Sequence, residues 1–225
     1  MESIKKYWDS ETMVKALLEM YETKKYEIKK RLEEFKAVFN QSNEKLFSEL
    51  AFCILTPQSK ATTSWNAIKS LERSNLLLNG TQEQIRPFLQ AVRFGGNKSK
   101  YLVEARKLFI ENGKLNIKEK LSDVKDDPVL FRGWLLKNVK GVGMKESSHF
   151  IRNIGLSNNQ LAILDVHILK NLKGLGVIED TPKLLTKKKY LEIEAKMKRF
   201  ADKIGINLDE LDILLWSKET GIIFK

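Results

Sequence analysis

The sequence lacks the residues that build disulfide, metal-cluster or membrane proteins. Its 225 residues include a single cysteine, Cys53, which lies inside the apolar run LAFCILT. One cysteine can form neither an internal disulfide nor a zinc or iron–sulfur site, so we expect a core residue and no metal or cofactor. No apolar run reaches the roughly 18 residues of a membrane span, and the opening MESIKKYWDS has no signal-peptide pattern. These absences predict a cytoplasmic protein of a reducing compartment with no membrane partner.

Glycine and proline are also scarce, at 12 and 4 residues. Leu, Ile, Lys and Glu recur instead at helical spacing, so the sequence predicts an all-α fold. The 42% hydrophobic residues suffice for one large domain or two small ones in close contact. Ser59 is predicted to cap one helix. Other predicted helices cover about residues 10–39, with a kink or break near ETKK, and residues 44–55, 81–92 and 98–111.

Positive charges outnumber negative charges, with 40 Lys and Arg against 29 Asp and Glu, a net charge of +11. In a globular domain this excess points to a polyanionic partner, and nucleic acid is the usual one. A thermophilic surface rich in Lys and Glu is the alternative. That alternative explains the number of charges but not their imbalance, so the composition favours nucleic-acid binding.

The stretch NVKGVGMKESSHFIR joins two amphipathic runs through Gly141, Val142 and Gly143. The flanking helices are predicted over residues 130–139 and 144–154. Glycine permits positive φ and close backbone approach, and the first amides of the second helix carry the positive end of its dipole. The turn can therefore bind a phosphate without any side-chain charge. An ordinary corner between two helices is the alternative.

The second predicted helix strengthens the case for DNA binding. Lys145, His149 and Arg152 fall at i, i+4 and i+7, so they would form one basic face. Ser147 and Ser148 are small enough to let the two hairpin helices pack closely. Together with the glycines, this pattern favours a DNA-binding helix-hairpin-helix in which the turn, His149 and Arg152 contact phosphates.

Lys145 and Asp165 are the candidates for catalysis. The helix dipole disfavours a cation at the position of Lys145, and the same field, together with burial, favours a neutral amine that can act as a nucleophile. Asp165 follows the apolar run LAIL and can cap a helix. A carboxylate there could accept the proton of the amine and stabilise positive charge on a sugar C1′. A phosphate contact for Lys145 and a purely structural cap for Asp165 are the alternatives.

VKGVGMK followed by LDVHI resembles the helix-hairpin-helix DNA glycosylases that carry a Gly/Pro-rich loop and an aspartate. LTPQSK, RFGGNKSKYL and WSKETGIIFK are similar to the short prokaryotic class of 8-oxoguanine DNA glycosylase/AP lyases. The likeness runs from about residue 46 to the end of the chain. The loop GLSNNQLAIL lacks the usual proline. The four cluster cysteines of endonuclease III relatives are also missing, which argues against the pyrimidine-specific branch.

The resemblance implies how the reaction would proceed. Lys145 would be the nucleophile that forms a Schiff base, and Asp165 the catalytic carboxylate. The expected activity is excision of 8-oxoguanine from double-stranded DNA, followed by β-elimination that nicks the strand. A cluster-free glycosylase for oxidised pyrimidines and a non-catalytic helix-hairpin-helix DNA-binding module are the alternatives.

The resemblance also implies four residues that handle the flipped-out base. Gln58 would enter the duplex beside the base left unpaired. Phe94 and Trp216 would stack on the two faces of the flipped base. Lys225 matches the C-terminal lysine that reads the damaged guanine. A tryptophan and a phenylalanine taken alone are more often core residues, which is the alternative for that pair.

The expected architecture is a two-lobed, all-α helix-hairpin-helix DNA glycosylase fold. Residues 40–157 would form a central helical lobe that contains the hairpin at about 130–154. Residues 1–39 and 158–225 would form the second lobe, with the active site in the cleft between the lobes. We expect the protein to act as a monomer on DNA in a prokaryotic cytoplasm, at the nucleoid.

Overall fold

A computed structural model describes the backbone of residues 2–225 and the side chains of residues 11–225. Most of this backbone is helical, and the rest consists of turns, one small hairpin and irregular segments, which confirms the all-α prediction. The chain forms two compact units. One is Phe35–Leu156, and the other combines the segment up to Glu34 with Ser157–Lys225. None of the helices described has the length and hydropathy needed to cross a membrane.

Helix α1, Glu2–Val38, is continuous, so the predicted break near ETKK is wrong. Short-range side-chain bonds support the helix at this point. Thr23 Oγ1 donates to Met20 O at 2.7 Å, and Lys25 Nζ lies 2.5 Å from Glu22 Oε2. Ion pairs at this spacing stabilise a helix by about 0.2–0.5 kcal/mol each. The polar stretch is therefore an exposed face of α1 and not an interruption.

The unit Phe35–Leu156 is built around α2, Asn43–Leu55, in which every residue from Leu46 onward is buried. Cys53 is one of these core residues, as predicted. The other helices are α3 (Ala61–Arg73), α4 (Leu76–Asn79), α5 (Gln82–Ile85), α6 (Gly95–Phe109), α7 (Ile117–Lys120), α8 (Pro128–Asn138) and α9 (Met144–Asn153). A two-stranded antiparallel hairpin, β1 (Ile110–Glu111) and β2 (Lys114–Leu115), follows α6. Because α2 packs against α3, α6 and α9, it organises the unit.

Two details of this unit differ from the predictions. The helix expected over residues 81–92 divides into α5 and a 3₁₀ turn that contains Pro87, because proline lacks the N–H that a continuous α-helix would use. The N-cap of α3 is Lys60 and has no side-chain capping bond, so the prediction that Ser59 caps this helix is wrong. Ser59 Oγ instead accepts a hydrogen bond from Arg93 N at 3.0 Å.

The second unit contains the first part of α1 and the helices α10 (Val166–Gly174), α11 (Lys187–Ile204) and α12 (Leu208–Thr220). Helix α12 packs against both α10 and α11. The segment Leu161–Leu164, which precedes α10, is buried but is neither helical nor part of a strand. Its main-chain groups therefore need hydrogen-bond partners from elsewhere in the unit.

Buried side chains of α11 and α12 are those partners. Glu194 Oε2 accepts from Ala162 N at 2.8 Å. The hydroxyl of Tyr190 donates to Ala162 O at 2.6 Å and accepts from Leu164 N at 3.2 Å. Asp212 Oδ1 accepts from Ile163 N at 3.4 Å. The irregular segment is thus fixed by side chains, and it delivers the chain to the start of α10.

Tyr190→Phe should lower the free energy of unfolding. The change removes one hydroxyl and leaves a buried carbonyl and a buried amide without that partner, which costs about 1–3 kcal/mol. Urea denaturation measures this loss. Tyr26→Phe is the matched control, because Tyr26 is 77% exposed and its hydroxyl should contribute nothing measurable. Equal unfolding midpoints for the two variants would contradict the assigned role of Tyr190.

Candidate active site

Helices α8 and α9 pack against each other and enclose the turn Gly141–Gly143. The rings of Phe131 and Phe150 meet edge to face, with centroids 6.1 Å apart. Arg132 Nη1 donates to Ser148 Oγ at 3.2 Å. Ser147 and Ser148 are both fully buried, as their predicted packing role requires. The two helices therefore hold the turn between them rigidly.

Gly141 is the residue of this turn that has to be glycine. Its φ is +85°, in a region that other residues seldom adopt. A Cβ added there would also lie 2.5 Å from Cδ2 of Tyr101, which is too close for any contact. Gly143 has φ −105° and so has no such conformational need. The predicted positive φ therefore applies to the first glycine of the turn only.

Lys145 lies in the first turn of α9 with 23% of its side chain exposed. Its Nζ is 3.6 Å from Oε1 of Glu146, and Oε2 of the same carboxylate accepts from Gly143 N at 3.0 Å. The amide of Gly143 is therefore already bonded to Glu146 and is not available to a ligand. The intrahelical bonds of α9 begin with Ser147 N, which donates to Gly143 O at 3.0 Å. The amides of residues 144–146 precede that donor and have no carbonyl partner within the helix, so they can donate to a bound anion.

His149 and Arg152 do not form an exposed basic face with Lys145, so this prediction is wrong. Their exposed fractions are 5% and 3%. The His149 ring meets Phe52 edge to face at 5.4 Å, and the Arg152 guanidinium lies 5.0 Å from the centroid of Phe35. Arg152 Nε also donates to Asn153 Oδ1 at 3.1 Å. These side chains pack in the core of their unit and cannot contact DNA phosphates.

Gln58 and Phe94 are exposed residues in left-handed backbone conformations. Their φ angles are +55° and +60°. Phe94 is 52% exposed, and the guanidinium of Arg93 lies 5.0 Å from its ring centroid. Each such conformation costs a non-glycine residue about 1–3 kcal/mol, and it persists only where the surrounding structure fixes it. Two exposed side chains on strained turns are therefore candidates for ligand contact.

Asp165 is the N-cap of α10, as predicted. Its Oδ1 accepts from His167 N at 2.9 Å and from Ile168 N at 2.8 Å. Hydrogen bonds from amides to a carboxylate are stronger than those between neutral groups. The neighbouring Val166 is 75% exposed. The carboxylate thus has a fixed position at a helix end that solvent reaches.

Trp216 and Lys225 both lie in the second unit and are partly exposed. The Trp216 ring stacks on Phe224, with centroids 6.5 Å apart and 28° between the planes. Arg31 Nε donates to Phe224 O at 2.5 Å. Ile222 is 45% exposed, so Phe224 and not the whole apolar tail anchors this segment. Both Trp216 and the main chain next to Lys225 are therefore held in place.

Glu146 and Lys98 were not predicted from the sequence. Glu146 follows Gly143 at the three-residue spacing of a capping box, and that spacing could have identified it. Lys98 is buried, and this burial lowers its pKa to about 8. No local pattern distinguishes it from the surface lysines. Among the described side chains, no group of three or more His, Cys, Asp or Glu residues could hold a metal ion.

Comparisons with known proteins give one consistent result. A sequence profile described as 8-oxoguanine DNA glycosylase matches residues 28–206. Several relatives carry the name 8-oxoguanine DNA glycosylase/AP lyase. The one from Fusobacterium nucleatum is 47% identical over 92% of this chain and 94% of the relative. The one from Korarchaeum cryptofilum is 38% identical over 88% of this chain and 90% of the relative.

Solved structures that resemble the chain are also those of 8-oxoguanine glycosylases. The 8-oxoguanine glycosylase/lyase of Methanocaldococcus jannaschii, in complex with a 15mer DNA containing 8-oxoguanine, has a TM-score of 0.84 at 34% identity. The match covers 95% of this chain and 100% of that one. The 8-oxoguanine DNA glycosylase of Thermotoga maritima has a TM-score of 0.82 at 33% identity, over 96% and 100% of the two chains.

Gly141→Ala should destabilise the hairpin by about 1–3 kcal/mol, because alanine would be strained at positive φ and would press on Tyr101. Thermal or urea unfolding measures this loss. Gly133→Ala is the control in the same hairpin. A Cβ at Gly133 meets nothing within 4 Å, and alanine inside a helix is favoured over glycine by about 0.5–1 kcal/mol. If Gly141→Ala proved as stable as Gly133→Ala, the turn would not need its first glycine.

Proposed function

The chain belongs to the 8-oxoguanine DNA glycosylase family, and we propose that Lys145 and Asp165 carry out its reaction. The enzyme is a bifunctional DNA glycosylase and AP lyase that excises 8-oxoguanine from double-stranded DNA. The alternatives of a glycosylase for oxidised pyrimidines and of a non-catalytic DNA-binding module lose their support, since the relatives are named for 8-oxoguanine and for both activities.

The observation that carries this assignment is the setting of Lys145. It is a partly buried primary amine at the start of α9, directly after a turn whose first residue, Gly141, has to be glycine. The amine attacks C1′ of the damaged nucleotide, and the bond between C1′ and the base breaks. Opening of the sugar ring gives a Schiff base between Nζ and C1′. Loss of a proton from C2′ then expels the 3′ phosphate oxygen, and the strand is nicked.

Asp165 supplies a fixed negative charge to the first of these steps. As C1′ separates from the base, positive charge develops on the sugar, and a preorganised carboxylate stabilises it. The carboxylate can also accept the proton that the attacking amine loses. The two amide hydrogen bonds at 2.8 and 2.9 Å support this role, because they orient the group before the substrate arrives.

An enzyme that attacks C1′ in a duplex has to turn the nucleotide out of the helix. We assign the exposed Gln58 to the space that the nucleotide leaves. Phe94 and Trp216 stack on the flipped base, because aromatic faces bind any base. Lys225 contacts the oxidised base and distinguishes it from guanine. The strained backbone of Gln58 and Phe94 supports these roles.

The turn Gly141–Gly143 and the first amides of α9 bind a backbone phosphate near the lesion. His149 and Arg152 take no part, because they are buried. We propose the unit Phe35–Leu156 as the helix-hairpin-helix lobe, with Gln58, Phe94 and Lys145. The remaining unit is the second lobe and supplies Asp165, Trp216 and Lys225. The enzyme acts as a monomer on the chromosome, in the cytoplasm.

Lys145→Gln should abolish strand cleavage and the covalent adduct that borohydride traps on 8-oxoguanine DNA, because glutamine cannot form a Schiff base. Folding and lesion binding should persist. Lys140→Gln is the matched control, since Lys140 lies in the same hairpin with 70% of its side chain exposed. It should retain excision and trapping. A trapped adduct at wild-type yield in Lys145→Gln would refute the assignment of the nucleophile.

Asp165→Asn should keep the helix cap and lose the charge. We expect the single-turnover excision rate to fall by about 10²–10⁴-fold, while stability changes by about 1 kcal/mol or less. Asp127→Asn is the control, because Asp127 caps α8 in the same way. Its Oδ1 accepts from Val129 N at 2.8 Å and from Leu130 N at 3.0 Å. The two variants should differ in excision only. Equal excision rates would make Asp165 a structural cap.

A further inference from the structure

The ammonium of Lys98 makes three contacts with the turn that carries Gln58. It lies 2.7 Å from Leu55 O, 2.6 Å from Pro57 O and 3.2 Å from Ser59 Oγ. Three acceptors use all three N–H groups of an ammonium. Leu55 is the last residue of α2, so the cation also lies at the negative end of that helix dipole. Lys98 is 4% exposed, and water therefore cannot replace these contacts.

The same network reaches the turn that carries Phe94. Ser59 Oγ, which contacts Lys98, also accepts from Arg93 N at 3.0 Å. One buried cation therefore connects the two strained turns on which Gln58 and Phe94 lie. Strained conformations persist only where their surroundings fix them. Without Lys98, the Gln58 turn would lose these contacts directly, and Ser59, which accepts from the Phe94 turn, would lose the cation that positions its hydroxyl.

Lys98 also has one property of a nucleophile, since its pKa is lowered to about 8. Burial is the main cause, Glu146 partly offsets it, and Lys145 adds a smaller lowering of the pKa. Lysines of this kind are candidates for catalysis. Here, however, the amine is buried and its N–H groups point at acceptors. The ammonium form prevails at neutral pH, and it donates hydrogen bonds to the turn. The contacts therefore indicate that Lys98 holds main chain and does not attack DNA.

We propose that Lys98 is a positioning residue for base excision, which holds the Gln58 turn directly and the Phe94 turn through Ser59. This inference rests on the proposed roles of Gln58 and Phe94. Excision of 8-oxoguanine requires both residues, because the base has to leave the duplex and be stacked. Cleavage at an abasic site needs neither stacking nor recognition of a base. Loss of Lys98 should therefore impair excision far more than cleavage at an abasic site.

Arg106 offers a matched control on the same helix. It is 8% exposed, and its guanidinium donates to Leu77 O at 3.1 Å and to Gly80 O at 2.7 Å. Burial lowers its pKa as well. Arg106 thus also holds a turn through two carbonyls, but that turn carries no proposed site residue. Loss of Arg106 should lower stability and should change excision of 8-oxoguanine and cleavage at an abasic site by the same factor.

The experiment compares Lys98→Met, Arg106→Met and the wild type on two duplexes, one with 8-oxoguanine and one with a preformed abasic site. Excision is measured under single-turnover conditions, cleavage by the nicked product, and folding by thermal unfolding. We expect Lys98→Met to lower excision by about 100-fold, as a small displacement of substrate-positioning groups does. Its cleavage at the abasic site, and the borohydride-trapped adduct there, should match those of Arg106→Met.

Ser59→Ala is the second variant, in case Lys98→Met does not fold. It leaves both carbonyl contacts of Lys98 intact and removes the contacts of Ser59 Oγ with Lys98 and with Arg93 N. It should therefore lower excision relative to abasic cleavage, as Lys98→Met does, but by a smaller factor. Equal losses of excision and abasic cleavage, or no loss, in every variant that folds would overturn the proposal. A wild type that neither excises 8-oxoguanine nor forms a trapped adduct would instead contradict the proposed function itself.

Discussion

A buried amide or carbonyl without a hydrogen-bond partner costs about 1–3 kcal/mol, and irregular chain between helices exposes many such groups. In this protein, buried or partly buried ionisable side chains are the partners. Lys98 contacts the carbonyls at the end of α2, and Glu146 accepts from the amide of the hairpin turn. Glu194 accepts from the segment that leads to Asp165, and Arg31 donates to the carbonyl beside Lys225. Each loop that carries a proposed site residue depends on one of these contacts.

This arrangement suits an enzyme whose working side chains have to be exposed and yet fixed. Gln58 and Phe94 project from turns, where the main chain has no regular ladder of hydrogen bonds to hold it. A cation that donates to three acceptors fixes such a turn more firmly than apolar packing does, because the bonds are directional. Charged groups in the core are costly unless each is paired. Here their bonds to main chain offset that cost and also set the position of the loops that carry the proposed site residues.

Several features that depend on local sequence were predicted, although the Ser59 cap and the break near ETKK were wrong. The hairpin helices were expected over residues 130–139 and 144–154 and lie at Pro128–Asn138 and Met144–Asn153, because periodicity and glycine mark their ends. The cap at Asp165 follows from local chemistry in the same way. The burial of His149 and Arg152 could not be predicted, since it depends on Phe52 of α2 and Phe35 of α1, about a hundred residues earlier in the chain. The contacts of Lys98 are likewise non-local, and a lysine has no pattern that marks it as buried.

The central claim is that Lys145 forms the covalent bond to DNA, and mapping that bond on the wild-type protein tests it most directly. Borohydride reduction during the reaction with 8-oxoguanine DNA fixes the Schiff base as a stable amine. Nuclease and protease digestion followed by mass spectrometry then identifies the lysine that carries the sugar remnant. We expect a single modified peptide, with the remnant on Lys145. A remnant on Lys98, Lys140 or another lysine, or no adduct while strands are still cleaved, would contradict it.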